Sequence, residues 1–276
     1  KWEFNVKFNM CASDTEAIPM RELLDMASEE DKKAWENLHL GYTETYGSPK
    51  LREAIANTYN SLKSKHILTF AGAEEGIYVA MKSILNNKDH AIVINPNYQS
   101  SETLPDSICE ISGVSLDPKN DWNLDMNEIE NAIKSNTKLI SINFPNNPTG
   151  NTMDPLVIKN ILNSFSGIVV IDEAYIDFST SQSWIDFLDF HPNLFIIQTL
   201  SKAWGLAGLR LGMGFASKQI IAILNKIKPP YNINSLTQEK ALEAIGYLEE
   251  KNNAVDTILS EKVKLIENIK LIERVK

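Results

Sequence analysis

The sequence predicts an α/β protein, built as a three-layer α/β/α sandwich around a mostly parallel sheet. Two observations predict this class: several strand-like segments, such as 90–96, are apolar on both faces, and helix-like segments separate them. Because parallel strands need crossover connections, and these are right-handed, helices are expected to cover both faces of the sheet. The 276 residues suffice for one large domain or two smaller ones.

The elements follow from periodicity, in chain order. The first helix is expected at 49–62, where Leu51, Ile55 and Tyr59 recur at helical spacing. The later helices are predicted at 72–87, 126–135, 153–165 and 218–227. The strands are predicted at 67–70, 90–96, 108–116, 138–144, 167–174, 193–200 and 209–216. From about Ser235 the chain is charged and helical to its end, as one long helix or a pair.

Composition narrows the class of function. A formal net charge of -9 argues against a nucleic-acid surface, which would show basic patches. No stretch reaches the apolar length of a membrane span, and the N-terminal residues lack the apolar core of a signal peptide. Cys11 and Cys109 are too few for a disulfide framework, so a reducing, cytoplasmic setting is expected. The four histidines show no metal-ligand spacing, so no metal site is expected.

Polar residues of interest come directly after predicted strands. Tyr98, Asn147, Asp172 and Lys202 lie at or just beyond the carboxyl ends of four of them. In open α/β sheets ligands bind outside these ends. The sequence therefore predicts one ligand site to which all four residues contribute.

Lys202 stands between the apolar run FIIQTL and the small-residue run AWGLAG. A lysine amine becomes a useful nucleophile when desolvation lowers its pKa, and small residues let a ligand approach the backbone. This setting fits a lysine that forms a Schiff base. A lysine at a strand end with its ammonium group in solvent fits the segment equally well.

A possible anion site surrounds this lysine. The Arg210 guanidinium suits phosphate recognition, and the Thr199 and Ser201 hydroxyls could donate to the same anion. The turn AGAEEG opens a helix, so the backbone amides of Ala73 and Glu74 would point at an anion there. Glycine loops are common at helix starts without any ligand, so this turn alone decides nothing.

Asp172 follows four apolar residues, where a carboxylate is costly unless it pairs with a cation. The protonated ring nitrogen of pyridoxal phosphate would be such a partner; a helix cap or an arginine pair is the alternative. Asn147 and Tyr175 could hydrogen-bond a cofactor hydroxyl, and Tyr98 could stack on a ring. Together these residues supply the parts that pyridoxal phosphate needs.

Six motifs carry a family resemblance that runs from about Gly41 to the C-terminus. They are GYTETYGSPKLREAIA (41–56), AGAEEGI (71–77), NPNY (95–98), FPNNPTG (144–150), VVIDEAYIDF (169–178) and TLSKAWGLAGLRLG (199–212). In these motifs the chain resembles the class I/II aminotransferases, pyridoxal-phosphate enzymes of fold type I. Any one motif is weak, but their joint occurrence is highly specific.

The resemblance implies a role for each motif residue. Lys202 would be the Schiff-base lysine and later the acid/base, and Asp172 would keep the ring nitrogen protonated. Asn147 and Tyr175 would contact the ring hydroxyl, and Tyr98 would stack on the ring. The phosphate would be bound by Arg210, Thr199, Ser201 and the amides of Ala73 and Glu74. Tyr42 matches the tyrosine that reaches the phosphate of the neighbouring subunit, which implies a homodimer.

The resemblance leaves the substrate open. In DEAYIDF, SKAWGLAGLRLG and KPPYNINSLTQ the second half is most similar to histidinol-phosphate aminotransferases, which transfer an amino group to a 2-oxo acid. The segment FNMCASDTEAIP departs from them, and GYTETYGSPKLREA is more like general amino-acid aminotransferases. Aminotransferases of aromatic or other amino acids remain alternatives, as do a lyase or cyclase and a non-enzymatic regulator on the same scaffold. The tyrosines at 98 and 175 favour transamination over carbon–sulfur lyases and oxoamine synthases.

The resemblance also implies a domain division. Residues 41–234 would form the large cofactor-binding domain, while 1–40 and 235–276 would be an N-terminal arm and a long helix of an incomplete small domain. The arginine that anchors the substrate would lie beyond residue 276, so cofactor binding with poor turnover is expected.

Overall fold

A single seven-stranded sheet organises the chain in the computed structural model, which describes residues 5–7, 12–13, 15–60 and 62–272. In chain order the strands are β1 (Ile67–Phe70), β2 (His90–Asn95), β3 (Glu110–Ser115), β4 (Thr137–Asn143), β5 (Ile168–Asp172), β6 (Leu194–Thr199) and β7 (Gly212–Ala216). Their spatial order is β1-β7-β6-β5-β4-β2-β3. Strand β7 is antiparallel to both of its neighbours, and the other pairings are parallel. The predicted mostly parallel sheet is therefore confirmed.

An α-helix separates each pair of consecutive strands from β1 to β5, whereas only 3₁₀ turns connect β5 to β6 and β6 to β7. Within the described residues the α-helices number ten. They are α1 (Met20–Met26), α2 (Glu29–Glu36), α3 (Pro49–Asn57), α4 (Ala73–Ile84), α5 (Gln99–Asp106), α6 (Met126–Ala132), α7 (Pro155–Ser164), α8 (Lys218–Ile227), α9 (Ser235–Ile245) and α10 (Leu248–Lys270). The helix expected at 49–62 ends earlier, and the C-terminal helical region is a pair. Helices α1, α2 and α5, which have seven or eight residues each, were not predicted from the sequence.

Strand β6 shows how the sheet is covered on both faces. Leu194 and Ile196 pack into one core with α3, α7 and α9, while Phe195 and Ile197 pack into a second core with α4 and α8. All four side chains are fully buried. Hydrophobic burial on both faces explains why this strand is a continuous apolar run. Within the described ranges, every helix is too short or too polar to cross a lipid bilayer.

Two glycines fix how β7 and α4 meet. Gly72, which precedes α4, has φ +86°, a backbone conformation that residues other than glycine rarely adopt. A Cβ atom at Gly212 would lie 2.4 Å from the Gly72 carbonyl carbon and 2.5 Å from the Ala73 nitrogen. The start of β7 therefore lies directly against the N-terminus of α4, which brings two sequence-distant motifs together.

Candidate active site

Lys202 lies in the loop after β6, half-buried, with its amine directed at the N-terminal arm. Its Nζ donates to Ser13 Oγ at 3.3 Å and lies 5.3 Å from the centroid of the Tyr175 ring. Its backbone carbonyl accepts a 2.7 Å hydrogen bond from Thr15 Oγ1. The arm thus packs over the loop that carries the lysine, although the two are nearly two hundred residues apart in sequence.

Asp172 ends β5 and is buried, with 7% of its surface exposed. One carboxylate oxygen accepts from the backbone amide of Ala174 at 3.0 Å. Burial, reinforced by the nearby Glu74 carboxylate, raises the pKa of Asp172 to about 6, against the lowering effects of that hydrogen bond and of Lys202. Its ionised form therefore gains from a cationic partner.

Asn147 and Tyr175 lie together beside the N-terminal arm. Asn147 Nδ2 donates to the Tyr175 hydroxyl at 3.2 Å, and that hydroxyl donates to Ser13 Oγ at 2.9 Å. Ser13 thus contacts both Tyr175 and Lys202. Three of the residues that the sequence singles out share one hydrogen-bonded cluster with an arm residue that it does not.

Tyr98 precedes α5 and is 41% exposed. Partial burial raises its pKa, and the Glu74 carboxylate and Asp172 add to the effect. These electrostatic influences place the Tyr98 ring near both the start of α4 and the end of β5. An exposed flat ring in that position suits stacking on a ligand ring.

The residues predicted to bind an anion lie around the N-terminus of α4. Arg210, at φ +55°, is exposed; its Nη1 donates to the Ala207 carbonyl at 3.0 Å, and a Cβ atom at Gly72 would lie 2.4 Å from its Nη2. The Thr199 hydroxyl lies 3.0 Å from the Ser201 hydroxyl. Because Gly72 offers no side-chain cap, the first-turn amides of α4 suit an anion.

The donor set fits pyridoxal phosphate. The phosphate matches the guanidinium, hydroxyls and helix N-terminus of the anion site. A protonated ring nitrogen would give Asp172 the cationic partner that its burial calls for. The residues that could hold the group are those named from the sequence: Ala73, Glu74, Tyr98, Asn147, Asp172, Tyr175, Thr199, Ser201, Lys202 and Arg210.

Tyr42 lies at the surface, with 91% of its area exposed. Its ring packs against Tyr231 at a centroid distance of 4.8 Å, and Tyr231 has φ +58° and is 51% exposed. The two rings therefore form an exposed aromatic pair on the surface of the chain.

Two buried networks beside the site escaped sequence reasoning. Glu173 is 1% exposed and accepts hydrogen bonds from Ser183 Oγ and Trp184 N, both at 2.6 Å, and from Gln198 Nε2 at 2.8 Å. Gln198 in turn accepts from the Tyr59 hydroxyl. Burial raises the pKa of Glu173 to about 7. A second carboxylate after a buried strand was the available signal.

The second network joins segments next to the surface tyrosines, at Thr45 and Asn232, to the first turn of α4. Lys228, 3% exposed, donates to the Thr45 carbonyl at 2.6 Å and to Asn232 Oδ1, and burial lowers its pKa to about 8. Asn232 donates to Glu75, which accepts from the Ala71 amide at 2.6 Å. No sequence pattern pairs these residues, because they come from three distant segments.

Comparison with known proteins places this arrangement in context. A model of the family described as "Aminotransferase class I and II" matches residues 7–271. The histidinol-phosphate aminotransferase of Cytophaga hutchinsonii is 42% identical over 227 residues, which are 81% of this chain and 65% of that protein. The Flavobacterium johnsoniae enzyme of the same name is 38% identical over the same share of each chain. The chain therefore spans about two thirds of the length of these curated relatives.

Solved structures show the same fold. A pyridoxal-phosphate-dependent aminotransferase from Streptococcus suis superposes with a TM-score of 0.85 at 24% identity, over 94% of this chain and 71% of that one. An aspartate aminotransferase from Thermotoga maritima gives 0.81 at 21% identity, over 94% and 72%. The expected fold type I is confirmed by these matches.

Proposed function

The chain belongs to the class I and II aminotransferase family, and from that premise we propose that it is a pyridoxal-phosphate-dependent aminotransferase acting on histidinol phosphate and a 2-oxo acid. The buried Asp172 carboxylate, close enough to Lys202 for the two charges to interact, is the observation that carries the cofactor and reaction class. The two relatives named above, 42% and 38% identical to this chain, support the substrate.

When bound, pyridoxal phosphate supplies an electron sink for charge that develops at the substrate α-carbon. Asp172 would hold a proton at the ring nitrogen, since a buried carboxylate favours a cation beside it. Asn147 and Tyr175, 3.2 Å apart, would orient the ring hydroxyl, and Tyr98 would fix the ring plane. These contacts leave the Lys202 amine as the group that moves a proton at the α-carbon.

The anion site would set the position of the phosphate and with it the position of the ring. A guanidinium is a permanent cation that can pair with a phosphate, whereas an amine acts as a nucleophile only in its neutral form. The two cations of TLSKAWGLAGLRLG therefore have different roles, a permanent counter-charge and a proton carrier.

The remaining parts of the proposal concern the setting of the enzyme. We propose a cytoplasmic homodimer in amino-acid biosynthesis, in which Tyr42 reaches the phosphate of the neighbouring subunit. The exposure of Tyr42 and Tyr231 supports the shared site. An ordinary amino acid as donor is the second candidate, favoured by the motif GYTETYGSPKLREA.

Absorbance spectroscopy tests the proposal. The purified chain with pyridoxal phosphate is expected to show a band near the visible edge that Lys202→Ala abolishes and Lys226→Ala, an exposed lysine on α8, leaves intact. Histidinol phosphate should convert this band in a single turnover. Absence of the band would refute the cofactor assignment, and a response only to ordinary amino acids would refute the substrate.

A further inference from the structure

One cation of α10 contacts both loops that carry the reactive side chains. Lys251 lies one turn into the helix, and its Nζ forms a 2.6 Å ion pair with Asp177 Oδ1. The two side chains are 10% and 27% exposed, so the pair is mostly shielded from water. Asp177 belongs to the short 3₁₀ turn Ile176–Phe178 that directly follows Tyr175.

The same ammonium group also faces the loop after β6. Its Nζ lies 5.5 Å from the ring centroid of Trp204, within the range of a cation–π contact. Trp204 follows Lys202 by two residues inside a tight turn, which the hydrogen bond from Gly205 N to the Lys202 carbonyl closes at 2.9 Å. A displacement of the indole would therefore displace the backbone of Lys202.

A cavity lies beside the two loops that Lys251 contacts. Asp177, Trp204 and Lys251 line a cavity of about 110 Å³, whose wall also includes Tyr59 and Gln198. Protein interiors are normally packed without voids larger than a water molecule. On the side of the cavity the two contacts of Lys251 hold the loops, while the N-terminal arm and the Glu173 network hold them from other sides.

We propose that Lys251 is a positioning residue, which holds the Tyr175 and Lys202 loops in one arrangement and couples both to α10. It touches neither of the reactive side chains and acts through Asp177 and Trp204. Its importance for catalysis rests on the proposed function, but the coupling is a property of the chain alone. Any movement of α10 along its axis would reach both loops at once.

Hydrogen–deuterium exchange of the full chain, measured without and with pyridoxal phosphate, tests the coupling. Lys251→Met keeps the length of the side chain and removes its charge. We expect amide exchange to become about tenfold faster in both 173–180 and 199–206, the scale for losing a partly buried ion pair, while β5 keeps its protection. Lys264→Met is the matched control, since Lys264 forms an exposed pair with Glu261 on the same helix.

Two further variants separate the two contacts. Asp177→Asn should loosen 173–180 alone, and Trp204→Leu should loosen 199–206 alone. Lys251→Arg should restore the exchange of Lys251→Met to that of the parent in both segments. With cofactor bound, the pH at which the absorbance band titrates should shift in Lys251→Met and return in Lys251→Arg.

The outcomes are distinguishable. Loosening confined to α10, or equal loosening in Lys251→Met and Lys264→Met, would overturn the coupling. If exchange in the variants changes as expected but no cofactor band appears, the coupling stands and the proposed function is refuted. If Lys251→Met does not fold, the separate effects of Asp177→Asn and Trp204→Leu decide the matter.

Discussion

Asp172 and Glu173 are consecutive carboxylates at the end of β5, yet the fold treats them differently. Glu173 accepts three hydrogen bonds from protein groups, while Asp172 accepts one from the backbone. Both have a raised pKa because both are buried. Glu173, whose hydrogen bonds are made within the protein, is a structural carboxyl. Asp172, which has fewer hydrogen-bond donors, is available to a ligand.

Replacing Asp172 by Asn should separate folding from chemistry. The amide removes a buried charge without changing shape, so thermal stability without cofactor is expected to hold or rise above pH 6, where Asp172 ionises. Conversion of the bound cofactor by histidinol phosphate should slow by about two orders of magnitude, the scale for losing one electrostatic contact in a buried site. Stopped-flow absorbance measures this rate. Asp125→Asn, an exposed cap of α6, is the control and should leave it unchanged.

Glu173 predicts a pH dependence of stability. Its folded pKa of about 7 exceeds its ordinary value of 4.5, so the native state binds the extra proton. The contribution of Glu173 to the free energy of unfolding is therefore fully present below pH 4.5. It is lost as the pH rises through 7, by on the order of 3 kcal/mol. Glu173→Gln should remove this pH dependence from the free energy of unfolding, measured with denaturant at several pH values. The Gln198 side-chain amide would rotate so that its oxygen accepts from the new amide group. Glu128→Gln, at an exposed position of α6, is the control and should keep the pH dependence; an equal loss there would contradict the assignment.

At the scale of elements, the inner strands followed from the sequence because apolar runs mark strands buried on both faces, while β3 is an edge strand whose residues are mostly exposed or half-buried. All seven strands were expected, and the polar residues at their ends were expected to converge. Helices α1 and α2 and the arm contacts of Ser13 were not. Such contacts depend on which surfaces meet after folding, and a period or motif within one segment holds no information about them.

The junction of β7 with α4 can be tested with one methyl group. Gly212→Ala would place a Cβ atom 2.4 Å from the Gly72 carbonyl carbon, so strand and helix must separate. We expect the affinity for pyridoxal phosphate to fall at least tenfold, because the helix amides and Arg210 lose their common position. Gly208→Ala, where a Cβ atom meets nothing within 4 Å, is the control. Equal affinity of both variants, measured by fluorescence titration, would show that the junction does not shape the anion site.

At the scale of the molecule, hydrogen bonds connect the surface that the proposed dimer would use to the anion site of the same chain. Lys228 holds the Thr45 carbonyl and Asn232, and Asn232 reaches Glu75 in the first turn of α4. The exposed rings of Tyr42 and Tyr231 pack against each other, and Tyr231 directly precedes Asn232 of this network. A partner chain that packs on these tyrosines would therefore affect two cofactor sites. Tyr42 of this chain would reach the site of the partner, and the hydrogen-bonded network would transmit the contact to the site of this chain.

Hybrid dimers test whether the sites are shared. Lys202→Ala removes the covalent anchor of its own site, whereas Tyr42→Ala, in the proposed dimer, weakens the facing site. If the two chains are mixed in equal amounts and refolded together, half of the dimers are hybrids, and each hybrid has one site with both residues intact. About a quarter of all sites should then bind pyridoxal phosphate with the parent affinity, a consequence of two-fold symmetry. Titration of the absorbance band measures this fraction. A monomer, or a dimer that keeps Tyr42 out of the facing site, would give no gain on mixing, because each site would then depend on a single chain.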